Sequence, residues 1–220
     1  MLKRSIIALA ISFAASLAAG LQDAQAHPHV FVEANVELVR DASGAVTEIR
    51  HVWRFDEMFS STVLLDYDEN GNGELEGSEL DEISKTVTES IGEYDYYTAV
   101  RLDTRKQEFK IKDRIMVDYV DGQILMFFAL EMNEPLAVSG HSFRVAVSDP
   151  TYFVAVELAD ENAIQITGPD AAKCKASIER PDFDKLYAQN SQTLTEQFFN
   201  NPNNAALGDE WLTWVTVQCP

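Results

Sequence analysis

Residues 29–38 read HVFVEANVEL, and the alternation across them decides the architecture. Val30, Val32, Ala34, Val36 and Leu38 share one side of an extended chain, because successive strand side chains point to opposite faces. The pattern is that of a half-buried strand, one face on a core and one toward water. Asp41-Ala42-Ser43-Gly44 supplies turn chemistry, and residues 46–55 read as the returning strand. Further short strands are expected at 96–102, 108–120, 124–130, 141–147, 152–158 and 163–167, with Asp121-Gly122 marking a hairpin. Beyond Pro181, DFDKLYAQNSQTLTEQFFN has helical spacing, with Leu186, Leu194 and Phe198 as its buried points. Residues 200–208 form a loop, and 211–217 a last strand. The fold class that follows is α+β: a mainly antiparallel β-sandwich-like core, an inserted helix–loop–helix and a C-terminal helix.

The insertion, at about 56–92, is built around residues 68–79, DENGNGELEGSE. An EF-hand calcium loop needs oxygen ligands at positions 1, 3, 5, 7, 9 and 12 and a glycine at 6. Asp68, Asn70 and Asn72 fill the first three, the Glu74 carbonyl the seventh, Glu76 the ninth and Glu79 the twelfth. Gly73 stands at the turn and Leu75 follows at position 8. A register starting at Asp66 fails, since it ends on Gly77, which has no ligand atom. Phe59, Val63 and Leu64 before the loop, and Leu80, Ile83, Val87 and Ile91 after it, recur at helical spacing. The competing reading is an Asx-rich turn between two helices that never meets an ion. No second loop of this type occurs, and a lone site suits structural calcium, of about 10⁻⁴ to 10⁻³ M affinity, better than a switch.

Residues 1–26 read as an export leader: Lys3 and Arg4, an apolar stretch over 6–21, then Ala24-Gln25-Ala26 as a cleavage site. The mature chain would then be one periplasmic β-rich domain over 27–220, not embedded in a membrane. The chain has 17 basic and 36 acidic residues. Such a surface repels phosphate backbones and anionic lipids, which argues against nucleic-acid binding. Two cysteines, Cys174 and Cys219, are expected to form one disulfide in an oxidising compartment.

Cleavage after Ala26 would expose His27 with a free amine, followed by Pro28 and His29. Pro28 has no amide proton, which excludes the square-planar N-terminal copper or nickel mode. A chelate from His27, joined by His29, remains open for zinc, copper, nickel or cobalt, against a frayed polar terminus. His51 and His141 both have core-facing parity, and packing roles are the better reading of each than metal ligation. A tight turn at Ser43-Gly44 would also put His51 and His29 on opposite faces.

The segments AHPHVFVEANVEL, WRFDEMFS leading into the loop, EYDYYT and VSDPTYFVAVEL together resemble the domain-of-unknown-function 1007 family. That family is described as the periplasmic component of an uncharacterised ABC-type transport system. The resemblance implies metal handling beside a membrane transporter of nickel/cobalt permease type, with no established activity to carry over. It directs attention to His27, His29 and the loop ligands. The expectation is an exported divalent-metal-binding accessory protein with a structural calcium site. The alternative is a calcium-stabilised interaction module without transition-metal handling. An enzyme is not expected: hydrolase elbow, metalloprotease, P-loop and dinucleotide motifs are missing from the sequence. A copper oxygenase on His27 would need a further imidazole that the sequence does not identify.

Overall fold

The computed structural model describes residues 28–151, 153–190 and 208–220. The alternating stretch forms β1 (Val30–Arg40), whose five inward residues from Val30 to Leu38 are at most 2 % exposed. β2 (Val46–Phe55) returns antiparallel, with Val36 opposite His51. The turn between them closes on Gly44 at φ +86°, a left-handed conformation that glycine adopts without steric cost. β7 (Gln123–Leu136) runs antiparallel to β2 and carries β5 (Phe109–Ile111) and β6 (Met116–Val120) on its far side. On the opposite edge β9 (Val154–Glu157) and β10 (Ile164–Thr167) pair in succession with β1. These make a seven-stranded sheet.

The second sheet has five antiparallel strands. In spatial order they are β11 (Lys175–Glu179), β12 (Trp214–Gln218), β8 (Phe143–Val147), β3 (Thr98–Leu102) and β4 (Arg105–Lys106). Its Val100, Phe143, Val145 and Val215 join Leu38, Ile49, Trp53 and Leu130 of the first sheet in one hydrophobic cluster. The result is an α+β sandwich of mostly antiparallel sheets with few helices.

Between β2 and β3 the chain forms α1 (Glu57–Tyr67) and α2 (Ser78–Gly92). Asp56 starts α1 by accepting from Phe59 N (2.9 Å), and its other oxygen accepts from Phe31 N of β1 (2.8 Å). Ile83 and Ile91 of α2 are buried as the stripe required, with Leu80 and Val87 half-buried beside them. The C-terminal helix α3 spans Phe183–Asn190; Leu194 and Phe198, assigned to it from spacing, lie outside the described residues.

Several boundaries depart from the sequence expectation. The strand expected over 108–120 is two, because Ile115 turns inward and is fully buried between β5 and β6. β3 begins at Thr98 rather than 96, because Asp95, Tyr96 and Tyr97 all take left-handed φ near +50°. β9 and β10 pair parallel to β1, so the first sheet is mixed. β11 was not anticipated, although Ala176 and Ile178 alternate toward the core. The last strand starts at Trp214, after a single 3₁₀ turn at Asp209–Trp211.

Cys174, just before β11, is bonded to Cys219, just after β12. A disulfide is consistent with an extracellular or periplasmic location. Among the described residues, no helix is long and apolar enough to cross a membrane. The bridge closes 45 residues, worth about 4 kcal/mol in the chain-entropy treatment. Replacing both cysteines with serine is expected to lower the thermal midpoint by roughly 10 °C. Calorimetry of the double variant checks this, and an unchanged midpoint would show that the bridge adds nothing to the folded state.

Candidate functional site

The loop between α1 and α2 is wound around its own oxygen atoms. Asp68 Oδ1 accepts from Asn72 N (3.1 Å) and Oδ2 from Gly73 N (2.8 Å). Asn70 Oδ1 also accepts from Asn72 N (2.9 Å), and Asn72 Oδ1 from Glu74 N (2.8 Å). Gly73 sits at φ +82°, where the chain reverses. Glu79, in the first turn of α2, reaches back across the loop. Its Oε1 accepts from Glu69 N (3.0 Å) and Asn70 Nδ2 (3.3 Å), and its Oε2 from Glu76 N (3.1 Å). Asn72 Nδ2 donates to Glu76 Oε1 (3.1 Å). Leu75 points the other way and is buried at 4 % exposure.

Glu79 is the unusual member, because it is only 5 % exposed. Burying an ionised carboxylate is costly unless it is paired or bound to a metal. Among the described residues no lysine or arginine pairs with Asp68, Glu76 or Glu79, while Asp81, two residues on, pairs with Arg114. Amide donors alone face the Glu79 oxygens. That donor set, all oxygen and three carboxylates strong with two amides and a carbonyl, is the chemistry of a hard divalent cation. No three His, Cys, Asp or Glu side chains form a metal-holding group among the described residues, so an ion here would depend on Asn70, Asn72 and the Glu74 carbonyl as well.

The histidines do not converge. His27 lies outside the described residues. His29 is exposed at the head of β1, its ring 5.1 Å from that of Phe153 and its N–H donating to Phe153 O (3.0 Å). His51 is on the opposite face, level with Val36, about 23 Å along the strand from residue 29 at the usual rise. It is 1 % exposed and stacks on Phe128 at 4.6 Å, with Thr98 Oγ1 3.5 Å from its Nε2 and, among the described residues, no hydrogen-bond partner for Nδ1. His141, expected to face the core, is instead exposed, because β8 begins only at Phe143; it is bonded through Nδ1 to Asp103 Oδ2 (2.8 Å), a bond that lowers the Asp103 pKa.

Sequence reasoning missed the aromatic group around His51. Trp53 stacks on Tyr97 (6.1 Å, 14° between planes) and meets Phe128 edge-on (5.0 Å). Burial, with Asp149 and Tyr94 adding to it, raises the Tyr97 pKa. Asp149 itself is 1 % exposed and satisfied by Thr151 and the Val154 amide. The only linear signals were the aromatic density of Glu93–Tyr97 and the Asp149-Pro150 turn.

The model of the family described as "Protein of unknown function (DUF1007)" matches residues 12–219. The chain belongs to this family. An uncharacterised protein of Haemophilus influenzae is 20% identical over 197 residues, covering 88% of this chain and 91% of that one. An uncharacterised 15.5 kDa protein of Spirochaeta aurantia, from the trpE 3' region, is 26% identical over 122 residues, 53% of this chain and 82% of its own. The solved structure of AChBP from Bulinus truncatus aligns over 88% of this chain and 87% of its own, with 12% identity and a TM-score of 0.37, too distant to carry an argument. The DUF1007 relatives thus bring membership without an activity.

Burial holds the His51 imidazole neutral, its pKa lowered from 6.5 to about 3. The unfolded chain takes up this proton below about pH 6.5, while the folded chain refuses it until about pH 3. Stability from this group is therefore whole above pH 6.5 and is lost as pH falls toward 3, by up to about 1.4 kcal/mol per pH unit. His51→Phe is expected to flatten that slope in urea melts between pH 7 and pH 4. A slope identical to wild type would mean that the buried ring is protonated in place.

Proposed function

We propose that this DUF1007 protein is an exported calcium-binding module, with Ca2+ held in an EF-hand between α1 and α2. The role is one of binding rather than catalysis. The observation that carries the reading is Glu79: a buried carboxylate at loop position 12, turned into the loop, with no basic partner among the described residues. Asp68, Asn70, Asn72, the Glu74 carbonyl and Glu76 complete the ligand set. Occupancy would give the Glu79 carboxylate a cation partner where it now has only the amides of Glu69, Asn70 and Glu76. Export through a cleaved leader at 1–26 into the periplasm fits the disulfide and the acidic surface.

A second reading makes the protein a periplasmic accessory of an ABC-type or nickel/cobalt-type membrane transporter, passing zinc, nickel, cobalt or copper. The observation in its favour is His29, exposed at the head of β1 two residues from His27. His51 and His141 stand apart from it and add no ligand. Calorimetric titration of mature protein beginning at His27 tests this, beside a copy with one extra N-terminal residue. Tight binding lost on extension supports the chelate, and no binding in either form removes it.

For calcium, the expected dissociation constant is about 10⁻⁴ to 10⁻³ M. Ten millimolar calcium should then raise the thermal midpoint by roughly 3–10 °C over protein in EDTA. Glu79→Gln is expected to weaken binding at least about tenfold and abolish that rise, since it deletes the one bidentate carboxylate. A wild-type midpoint indifferent to calcium would sink the proposal.

A further inference from the structure

α2 carries the last loop ligand at its start and holds the edge of the seven-stranded sheet along its side. Ser84, five residues after Glu79, donates its hydroxyl to the carbonyl of Ile115. Thr88, one turn later, accepts from Ile115 N (3.0 Å) while donating to Ser84 O (2.6 Å). Both backbone groups of Ile115 are therefore satisfied by α2 rather than by a neighbouring strand. Arg114 adds an exposed ion pair to Asp81 (2.8 Å) on the same helix face. Ile115 is fully buried, and the next residue, Met116, begins β6. The starting point of this edge strand is thus set by the helix. β6 presents Met116 and Val120 outward, 66 % and 43 % exposed, and Met116 stands beside Phe127 and, through it, Val52 on the solvent face.

We propose that ion occupancy of the 68–79 loop is coupled to the docking of β6, with α2 as the rigid arm between Glu79 and Ile115. The proposal rests on the calcium reading above. Without an ion, Glu79 is held in the loop by the amides of Glu69, Asn70 and Glu76, with no basic partner among the described residues, and the first turn of α2 rests on those contacts. The hydroxyls of Ser84 and Thr88 fix the next turns of the same helix onto Ile115. A bound cation would hold the Glu79 carboxylate, and with it the first turn of α2, in that same place, so ion and hydroxyl grip favour the same position of the helix. Their coupling is positive, and linkage makes it reciprocal: calcium firms the edge strand, and the grip tightens calcium. The distance involved is short, about 7 Å of helix from residue 79 to 84 and about 13 Å to 88.

Two measurements on the mature protein test this. Amide hydrogen exchange in calcium and in EDTA should show residues 115–120 slowed at least about fivefold by calcium, with β11 unchanged. Calorimetric titration should show Ser84→Ala/Thr88→Val binding calcium about three- to tenfold more weakly than wild type, the equivalent of one or two lost hydrogen bonds. The exchange experiment needs no variant and stands even if the double substitution fails to fold. If calcium binds wild type but exchange at 115–120 is unaltered, or slows equally throughout both sheets, the coupling is overturned and the calcium reading survives. A double variant that binds calcium as wild type does would likewise overturn it. No calcium binding by wild type would overturn both.

Discussion

β1 is hydrogen-bonded along both edges, by β2 on one side and by β9 and then β10 on the other. Its register is the constraint from which the rest of the architecture follows. A slip of one residue would turn five buried apolar side chains to water and bring Phe31, Glu33 and Glu37 into the core. The same register puts Phe31 N against the Asp56 carboxylate, which in turn starts α1. The helix pair is therefore tied to the first strand through one shared side chain, in addition to its bonds to Ile115 and Ile124. His51 is inward because it stands opposite Val36, and the aromatic group of Trp53, Tyr97 and Phe128 assembles around that inward face.

Much of this was legible because it is periodic. Alternation over 29–38 and 46–55 identified the central hairpin; His29 and His51 do lie on opposite faces, but through a three-residue turn and a β-bulge at Thr47 rather than the two-residue turn expected at Ser43-Gly44. The helices around the loop, and the pairing of Cys174 with Cys219, were legible from stripes and counts. What was not legible depends on partners distant in sequence. Nothing in 154–157 or 164–167 says that these strands will lie parallel to one 120 or more residues earlier. Ile115 interrupts a pattern that otherwise reads as one long strand, and its inward turn is stabilised by hydroxyls on a helix 27 to 31 residues before it. For the candidate site, the spacing picked out the loop residues whose oxygens accept the loop's own amides, whereas the burial of Glu79 could not be read from it.

The left-handed run at Asp95–Tyr97 carries a local cost, of about 1–3 kcal/mol for each non-glycine residue so held. It is offset by what it positions. Tyr97 is turned onto Trp53, its carbonyl accepts from Ser148 N (2.7 Å), and Thr98 then enters β3 beside His51. Tyr96 packs near Phe128 and closes over Gly92 at the end of α2. An extended segment here would send both tyrosines to alternate faces and leave the end of the helix pair uncovered.

The parallel pairing of β9 and β10 with β1 has a bearing on how the chain is made. A polypeptide is produced from its N-terminus, so β1, β2 and the helix pair are complete long before residues 154–167 exist. Until then the outer edge of β1 is a row of unpaired amides and carbonyls on a strand rich in valine, the kind of edge that recruits other chains. The last third of the sequence acts, in this sense, as a cover for the first. A nascent chain halted before residue 154 would present that edge with nothing to close it, and its hazard is association with its own kind rather than simple unfolding.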